Sequence, residues 1–168
     1  MLIESITRQA CFDLLERTKV GRLACANEGQ PYITPISFAY ASNCLYGVST
    51  AGQKIAWMRA NPLVCVEADE MVTRQNWASV IVFGRYEELP DTDELSDARR
   101  HAYDLLRRDP LWWEPAYVKQ PVDGKEFVQE IMYFRIHIDQ ISGRRGIPGG
   151  PQARKAGWLR RLLAPKHP

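Results

Sequence analysis

Leu45-Tyr46-Gly47-Val48-Ser49-Thr50-Ala51-Gly52-Gln53-Lys54, then Ile55 to Ala60, then Asn61-Pro62-Leu63-Val64-Cys65-Val66, is the stretch on which the reading of the fold turns. An apolar run of strand composition ends in Ser, Thr, Gly and Lys, passes into about two helical turns, breaks at Asn-Pro and resumes as a second apolar strand. A residue before proline is steered away from helical dihedrals, so the spacing predicts a helix from Gln53 to Ala60 that stops at Asn61. Two readings of the Ser49–Lys54 corner are open at this level. In one, Ser49 or Thr50 caps the helix and Lys54 is solvated. In the other, hydroxyls, backbone N–H groups, a helix N-terminus and one ammonium converge on an anion, and a phosphate suits them.

Working outward toward the N-terminus, Thr7 to Arg17 carries Ala10, Cys11, Leu14 and Leu15 at helical spacing, with Thr7 as the cap. Val20 to Ala26 and Pro31 to Tyr40 read as a hairpin turned by Asn27-Glu28-Gly29-Gln30. Pro31 and Pro35 cannot donate ladder hydrogen bonds, which places the second of these strands at an edge, at a bulge, or open to a ligand near Pro35. Ala41-Ser42-Asn43 turns the chain again into Cys44 to Ser49. Toward the C-terminus, Leu63 to Ala68 is the fourth strand. Ser79 to Glu87, apolar on both alternations, is the fifth and is expected to be central and covered on both faces. Pro90 to Glu94 opens the longest helix, whose pattern runs through Leu95, Ala98, Ala102, Leu105 and Leu106 to Asp109-Pro110. An aromatic-rich loop, Leu111 to Gln129, holds Trp112 and Trp113 and reads as a lid, an interface or a pocket wall. Glu130 to Ser142 is the last strand. Six short strands with one crossover helix and one long helix predict a mainly β (α+β) chain, a small antiparallel barrel with peripheral helices, and not a doubly wound sheet.

The chain has 168 residues and a net charge of +2, with apolar and charged fractions of an ordinary globular domain. Charge is unevenly placed: from Gly143 onward there are seven basic residues and no acidic ones, against 15 basic and 20 acidic before it. A domain over 1–145 and a basic, Gly/Pro-containing tail over 146–168 are expected. No run is long enough to span a bilayer and no signal pattern opens the chain, so a cytoplasmic location is expected. Cys11, Cys25, Cys44 and Cys65 lack ligand or redox spacing and the three histidines are scattered, so no metal site is expected. The basic tail and the aromatics raise a nucleic-acid-binding small barrel as a competing reading, and nucleic acid is not expected as a partner.

In order and spacing, these motifs resemble the FMN-binding split-barrel proteins related to pyridoxamine 5′-phosphate oxidase, in the branch similar to the nitroimidazole-resistance proteins. The resemblance rests on Val20-Gly21-Arg22-Leu23-Ala24, Pro31-Tyr32-Ile33-Thr34-Pro35-Ile36-Ser37-Phe38, Ser49-Thr50-Ala51-Gly52-Gln53-Lys54, Asn61-Pro62-Leu63-Val64, Trp77-Ala78-Ser79-Val80-Ile81-Val82-Phe83-Gly84-Arg85 and Ile136 to Arg144. It implies a six-stranded antiparallel split barrel and a homodimer with FMN at its interface. It further implies that Pro35, Ile36 and Ser37 run beside the isoalloxazine and that Ser49, Thr50, Gly52 and Lys54 hold the phosphate. Trp77, Ser79 and Val80 would border the cofactor. Trp112 or Trp113 is a candidate to stack on the flavin or cap a substrate. The activity implied is an FMN-dependent oxidoreductase passing hydride or electrons from a nicotinamide or other reductant to a small organic acceptor, with nitroaromatic compounds among the candidates. The alternatives are a non-catalytic flavin-binding module, or an F420- or haem-binding split barrel. The chain departs from the oxidase at Gly52-Gln53-Lys54, where that enzyme has an adjacent Arg-Lys pair, which speaks against pyridoxamine phosphate as substrate.

Overall fold

The computed structural model describes residues 1–109, 121–122, 125–126 and 131–149. Trp112, Trp113, most of the aromatic loop and residues 150–168 of the tail lie outside the described residues. In chain order the elements are β1 (Leu2–Ser5), α1 (Arg8–Arg17), β2 (Val20–Asn27), β3 (Gln30–Ser37), β4 (Ala39–Ala41) and β5 (Cys44–Thr50). Then follow α2 (Gln53–Ala60), β6 (Leu63–Thr73), β7 (Asn76–Leu89), α3 (Ser96–Leu106), the two-residue pair β8 (Pro121–Val122) and β9 (Lys125–Glu126), and β10 (Ile131–Ile147).

One antiparallel sheet of eight strands runs β3-β2-β6-β7-β10-β5-β4, with β1 added on β10. β10 is the spine. β7 pairs along it from Tyr133 to Gly146, while β5 and β1 share its other edge, β5 from Ile131 to His137 and β1 from Arg144 to Ile147. Between them β10 is bulged near Asp139, where the Asn43 side chain donates to Ile138 O at 2.9 Å and Asn43 O accepts from Ile138 N at 3.1 Å. Such a bulge bends a strand, as a sheet needs in order to curl. The curl is not closed by hydrogen bonds. β3 ends the sheet on one side and β4 on the other, and only Phe38 lies between them in the chain. Phe38 N donates to Lys19 O at 3.0 Å and its ring is buried, pinning the bend at the split. The fold class expected from sequence therefore holds as a split barrel, with eight strands in place of six.

Local chemistry explains most boundaries. Thr7 caps α1, its Oγ1 accepting from Ala10 N at 3.2 Å, and the helix buries Cys11, Leu14 and Leu15. Burying a side chain of leucine size is worth ~1.5–3 kcal/mol before entropy is counted. The β2–β3 hairpin turns on Glu28 and Gly29, with φ of 49° and 80°, and the β4–β5 hairpin on Ser42 and Asn43, with φ of 49° and 61°. Two consecutive left-handed residues give the turn whose twist matches that of the flanking strands. β3 is an edge strand, which accommodates Pro31 and Pro35. α3 begins at Ser96, later than expected; Pro90 to Leu95 forms turns, with Thr92 N bonded to Pro90 O and Leu95 N to Thr92 O.

The barrel interior is one apolar cluster in which Leu23, Val66 and Val82 lie in register across three strands with Leu45, Phe134 and Ile136, closed by Leu14 and Leu15 of α1 and Ile55 and Met58 of α2. A second cluster lies outside the barrel, where Ala102 and Leu106 of α3 cover Cys44, Tyr46, Leu89 and Tyr133. β7 is central, as expected, but within one chain only its Val80, Val82 and Tyr86 face is covered. Phe83 is 53% exposed, and Leu63 of the adjacent β6 and Ile33 of the edge strand β3 are 63% and 67% exposed. Among the described residues no helix is long and apolar enough to cross a membrane.

Candidate functional site

At the Ser49–Lys54 corner neither Ser49 nor Thr50 caps α2. Ser49 is buried, and its hydroxyl donates to Thr50 O at 2.9 Å, so it does not cap α2. The cap position falls to Gly52, which supplies no side-chain acceptor. Nothing lies within 4 Å of where a Cβ would project from Gly52, so the approach to the first N–H groups of α2 is open. No acidic residue stands in the first turn to offset the positive end of the helix dipole. Lys54 is half-buried, and burial alone pushes its ammonium below the ordinary lysine value. Among the described residues no carboxylate forms an ion pair with it. A desolvated cation thus stands beside a helix start that no side chain caps.

Thr50 and Ser49 point to opposite faces of β5. Thr50 is in register with Ile131, and Val48, two residues back on the same face, with Tyr133, so Thr50 shares the face that α3 covers. Ser49 pairs with Met132 toward the barrel interior.

The other residues predicted from sequence are placed on separate walls. Pro35 is exposed at the sheet edge and paired with Arg22; Ile36 is core, 6% exposed, so it can offer only its backbone to a ligand. Ser37 lines a cavity of about 490 Å³ between α1 and α3, with Lys19, Tyr40 and Arg108. Trp77 packs on the backbone of Gly146, its Nε1 2.4 Å from where a Cβ would stand, so only glycine fits there. Ser79 lines an open groove of about 640 Å³ with Ile81, Phe83, Ser142 and Arg144, on the uncovered face of the sheet. Val80 is fully buried. Ser37 and Ser79 thus border two different cavities, and the Ser49–Lys54 corner borders neither.

Sequence reasoning missed a polar cluster on the α3 side. Glu87 accepts from Arg135 Nε at 2.6 Å and from His137 Nε2 at 2.5 Å, while Cys44 Sγ lies 3.5 Å from His137 Nδ1. Only the strand register brings these four together. The hydrogen bond from Arg135, with that from His137, holds the Glu87 carboxyl below its ordinary value, and burial pushes the Cys44 thiol up. The cluster joins β5, β7 and β10, and burial disfavours the thiolate form of Cys44. Its sign is fixed: a carboxyl lowered on folding stabilises the fold above its unfolded value near 4.5 and loses that contribution as pH falls through the folded value. Glu87→Gln is accordingly expected to lower the urea midpoint at neutral pH, with variant and wild type converging as pH drops below 4.5. Among the described residues no group of three or more His, Cys, Asp or Glu is placed to hold a metal ion.

Comparison with known proteins bears on the same region of the chain. The family model described as pyridoxamine 5′-phosphate oxidase matches residues 7–145. An uncharacterized protein of Rhizobium meliloti is 38% identical over 149 residues, 89% of this chain and 99% of its own length. The crystal structure of a FAD-binding protein from Mesorhizobium loti is 43% identical and superposes with a TM-score of 0.72, covering 87% of this chain and 99% of that one. A Bacteroides thetaiotaomicron protein, described as a candidate 5-nitroimidazole antibiotic resistance protein, has a TM-score of 0.61 at 21% identity, over 86% of this chain and 89% of its own, and shares the fold.

Proposed function

The chain belongs to the pyridoxamine 5′-phosphate oxidase family, and from that membership we propose that it is a flavin-dependent oxidoreductase that holds the FMN moiety by its phosphate at Thr50, Gly52 and Lys54, with Ser49, whose buried hydroxyl donates to Thr50 O, shaping the corner and not meeting the ligand. The observation that carries this reading is Lys54, a half-buried ammonium with no carboxylate paired to it among the described residues, beside a helix start with no side-chain cap. FMN is the simplest ligand with the required phosphate. FAD, which the Mesorhizobium relative is named for binding, carries the same one.

The donor set fits a phosphate ester. The first N–H groups of α2 would donate to it, Thr50 would add a hydroxyl, and Lys54 would act as a point charge whose desolvation is repaid on binding. The flavin itself would supply hydride and electron transfer between a nicotinamide reductant and a small, nitroaromatic acceptor. The protein's part is to orient the ring and exclude water. Pro35, whose nitrogen has no N–H, leaves the edge of β3 free for a flat ligand.

A second copy of the chain completes this proposal. Ile33, Leu63 and Phe83 form an exposed apolar row on the outer face of the sheet, next to the groove that holds Ser79 and Arg144. A homodimer through this face would cover them and gather residues that one chain leaves on separate walls. The compartment proposed is the cytoplasm. The two described histidines favour flavin over haem: His137 is held by Glu87 and Cys44, and the His101 ring packs edge-on to Tyr46 with centroids 5.3 Å apart.

The visible spectrum of the purified protein tests the reading directly. Two flavin bands, present on purification or after adding FMN, are expected together with a particle of twice the chain mass. Protein that stays colourless and takes up no FMN would sink it. Turnover of NADH or NADPH with a nitroaromatic panel then distinguishes an enzyme from a flavin carrier.

A further inference from the structure

We infer that the flavin this chain prefers is a dinucleotide, and that its second phosphate and adenine lie in a pocket at the first turns of α3. This rests on the reading of Ser49–Lys54 as the seat of the first phosphate. The pocket has a volume of about 330 Å³ and is lined by Asp91, Ser96, Arg99, Arg100, Tyr103 and Tyr133. Its size is at the small end of ligand sites, enough for half of a dinucleotide and not for a whole one.

Placement is the first argument. Tyr133 forms part of the pocket and is in register with Val48; Thr50 is in register with Ile131 on the same sheet face. Two residues of strand, or ~7 Å at ~3.4 Å per residue, separate Thr50 at the edge of the corner from the register position of Tyr133. The two phosphates of a pyrophosphate are directly bonded through one oxygen, so a ligand seated at the corner presents its next phosphate toward this pocket.

Chemistry is the second argument. Arg99 is already held in place: its Nη1 donates to Leu89 O at 2.9 Å and its guanidinium carbon lies 4.7 Å from the centre of the Tyr133 ring. Arg100, one residue on, is exposed and has no ion pair among the described residues. Two guanidinium groups against the single carboxylate of Asp91 leave the pocket cationic. A planar fork of N–H donors matches phosphate oxygens. The Tyr103 ring, which also has the Arg107 guanidinium 5.5 Å from its centre, offers a purine an aromatic wall, and the Ser96 hydroxyl, which donates to Asp93 O at 3.0 Å, can accept a hydrogen bond from its amino edge. No acidic residue other than Asp97 stands in the first turn of α3, and no side chain caps that helix.

The experiment titrates the full-length apoprotein with FAD, FMN and riboflavin, following flavin fluorescence. The wild type is expected to bind FAD at least about tenfold more tightly than FMN, the value of one charge-assisted hydrogen bond. Arg100→Gln and Tyr103→Leu should each reduce that ratio toward one while leaving FMN affinity within about twofold. Both side chains are exposed, and an unchanged circular dichroism spectrum verifies the fold. Equal affinity of the wild type for FAD and FMN would overturn the inference and leave the flavin reading intact, as would variants that weaken both ligands alike. A chain that binds no flavin overturns both.

Discussion

Replacing Lys54 with alanine is expected to weaken FMN about ten- to hundredfold and to leave riboflavin within about twofold, because only FMN carries the phosphate that this ammonium is placed to meet. The range follows from a charge-assisted hydrogen bond of ~1.5–3 kcal/mol. Riboflavin is the internal control: if Lys54 served the barrel and not the ligand, both affinities would fall together. A pH arm sharpens the test. Burial lowers the Lys54 value below 10.5 in the free protein. Bound phosphate favours the charged form, so FMN affinity declines as pH rises through that lowered value. Riboflavin has no phosphate and should show no such limb. Lys54→Arg keeps its charge throughout and should flatten the FMN profile. An FMN affinity that ignores both substitutions would remove the corner from the site.

The same corner shows what could be read from the chain and what could not. The span of α2 was legible to the residue, since Asn61-Pro62 must end a helix and the Asn61 side chain then accepts from Leu63 N at 3.2 Å. The way it is capped was not. Ser and Thr are strong caps by composition, but the pleat of β5 turns Ser49 inward, where its hydroxyl bonds to Thr50 O. β1 was illegible: its four residues are all exposed, so they carry no burial pattern, and their partners Arg144–Ile147 lie at the opposite end of the chain. The acidic run before α3 looked like a first helical turn, yet Asp97 is the acid that occupies it. In β7 the pattern was legible and incomplete. Apolar residues on both alternations demand cover on both faces, and one chain covers only one, which is a property of the sequence that a second copy would satisfy. The arginine pocket at α3 was invisible because Arg99 of α3 and Tyr133 of β10 meet only where the helix packs on the sheet, although adjacent arginines three and four residues before Tyr103 were a signal to weigh.

The expected cost of removing the Phe134 ring is larger than that of any other substitution considered, and it tests how the corner is held in place. Phe134 is 1% exposed and stands opposite Gly47 in register, and a Cβ at Gly47 would lie 2.4 Å from its Cζ. The ring therefore occupies the space that any other residue at position 47 would need, and Gly47 is required for that reason rather than for its backbone freedom. Phe134→Ala is expected to cost about 3–5 kcal/mol through lost burial and a cavity. Gly47→Ala should cost ~1–3 kcal/mol through overpacking. The double variant should cost less than the two together, because without the ring the new methyl meets open space. A coupling of about 0.5–3 kcal/mol is expected from such contact pairs, read from denaturant midpoints at constant m-value. Strict additivity would mean that the ring does not sit over Gly47. The consequence reaches the site, since Gly47 lies two residues before Ser49 on the strand that delivers the corner. Gly47→Ala should weaken FMN by displacing Ser49, Thr50 and the start of α2, and Gly47→Ala/Phe134→Ala should recover part of that affinity. Lys54→Ala should do the reverse and lose FMN at undiminished stability. The two variants thereby separate the group that meets the phosphate from the packing that positions it.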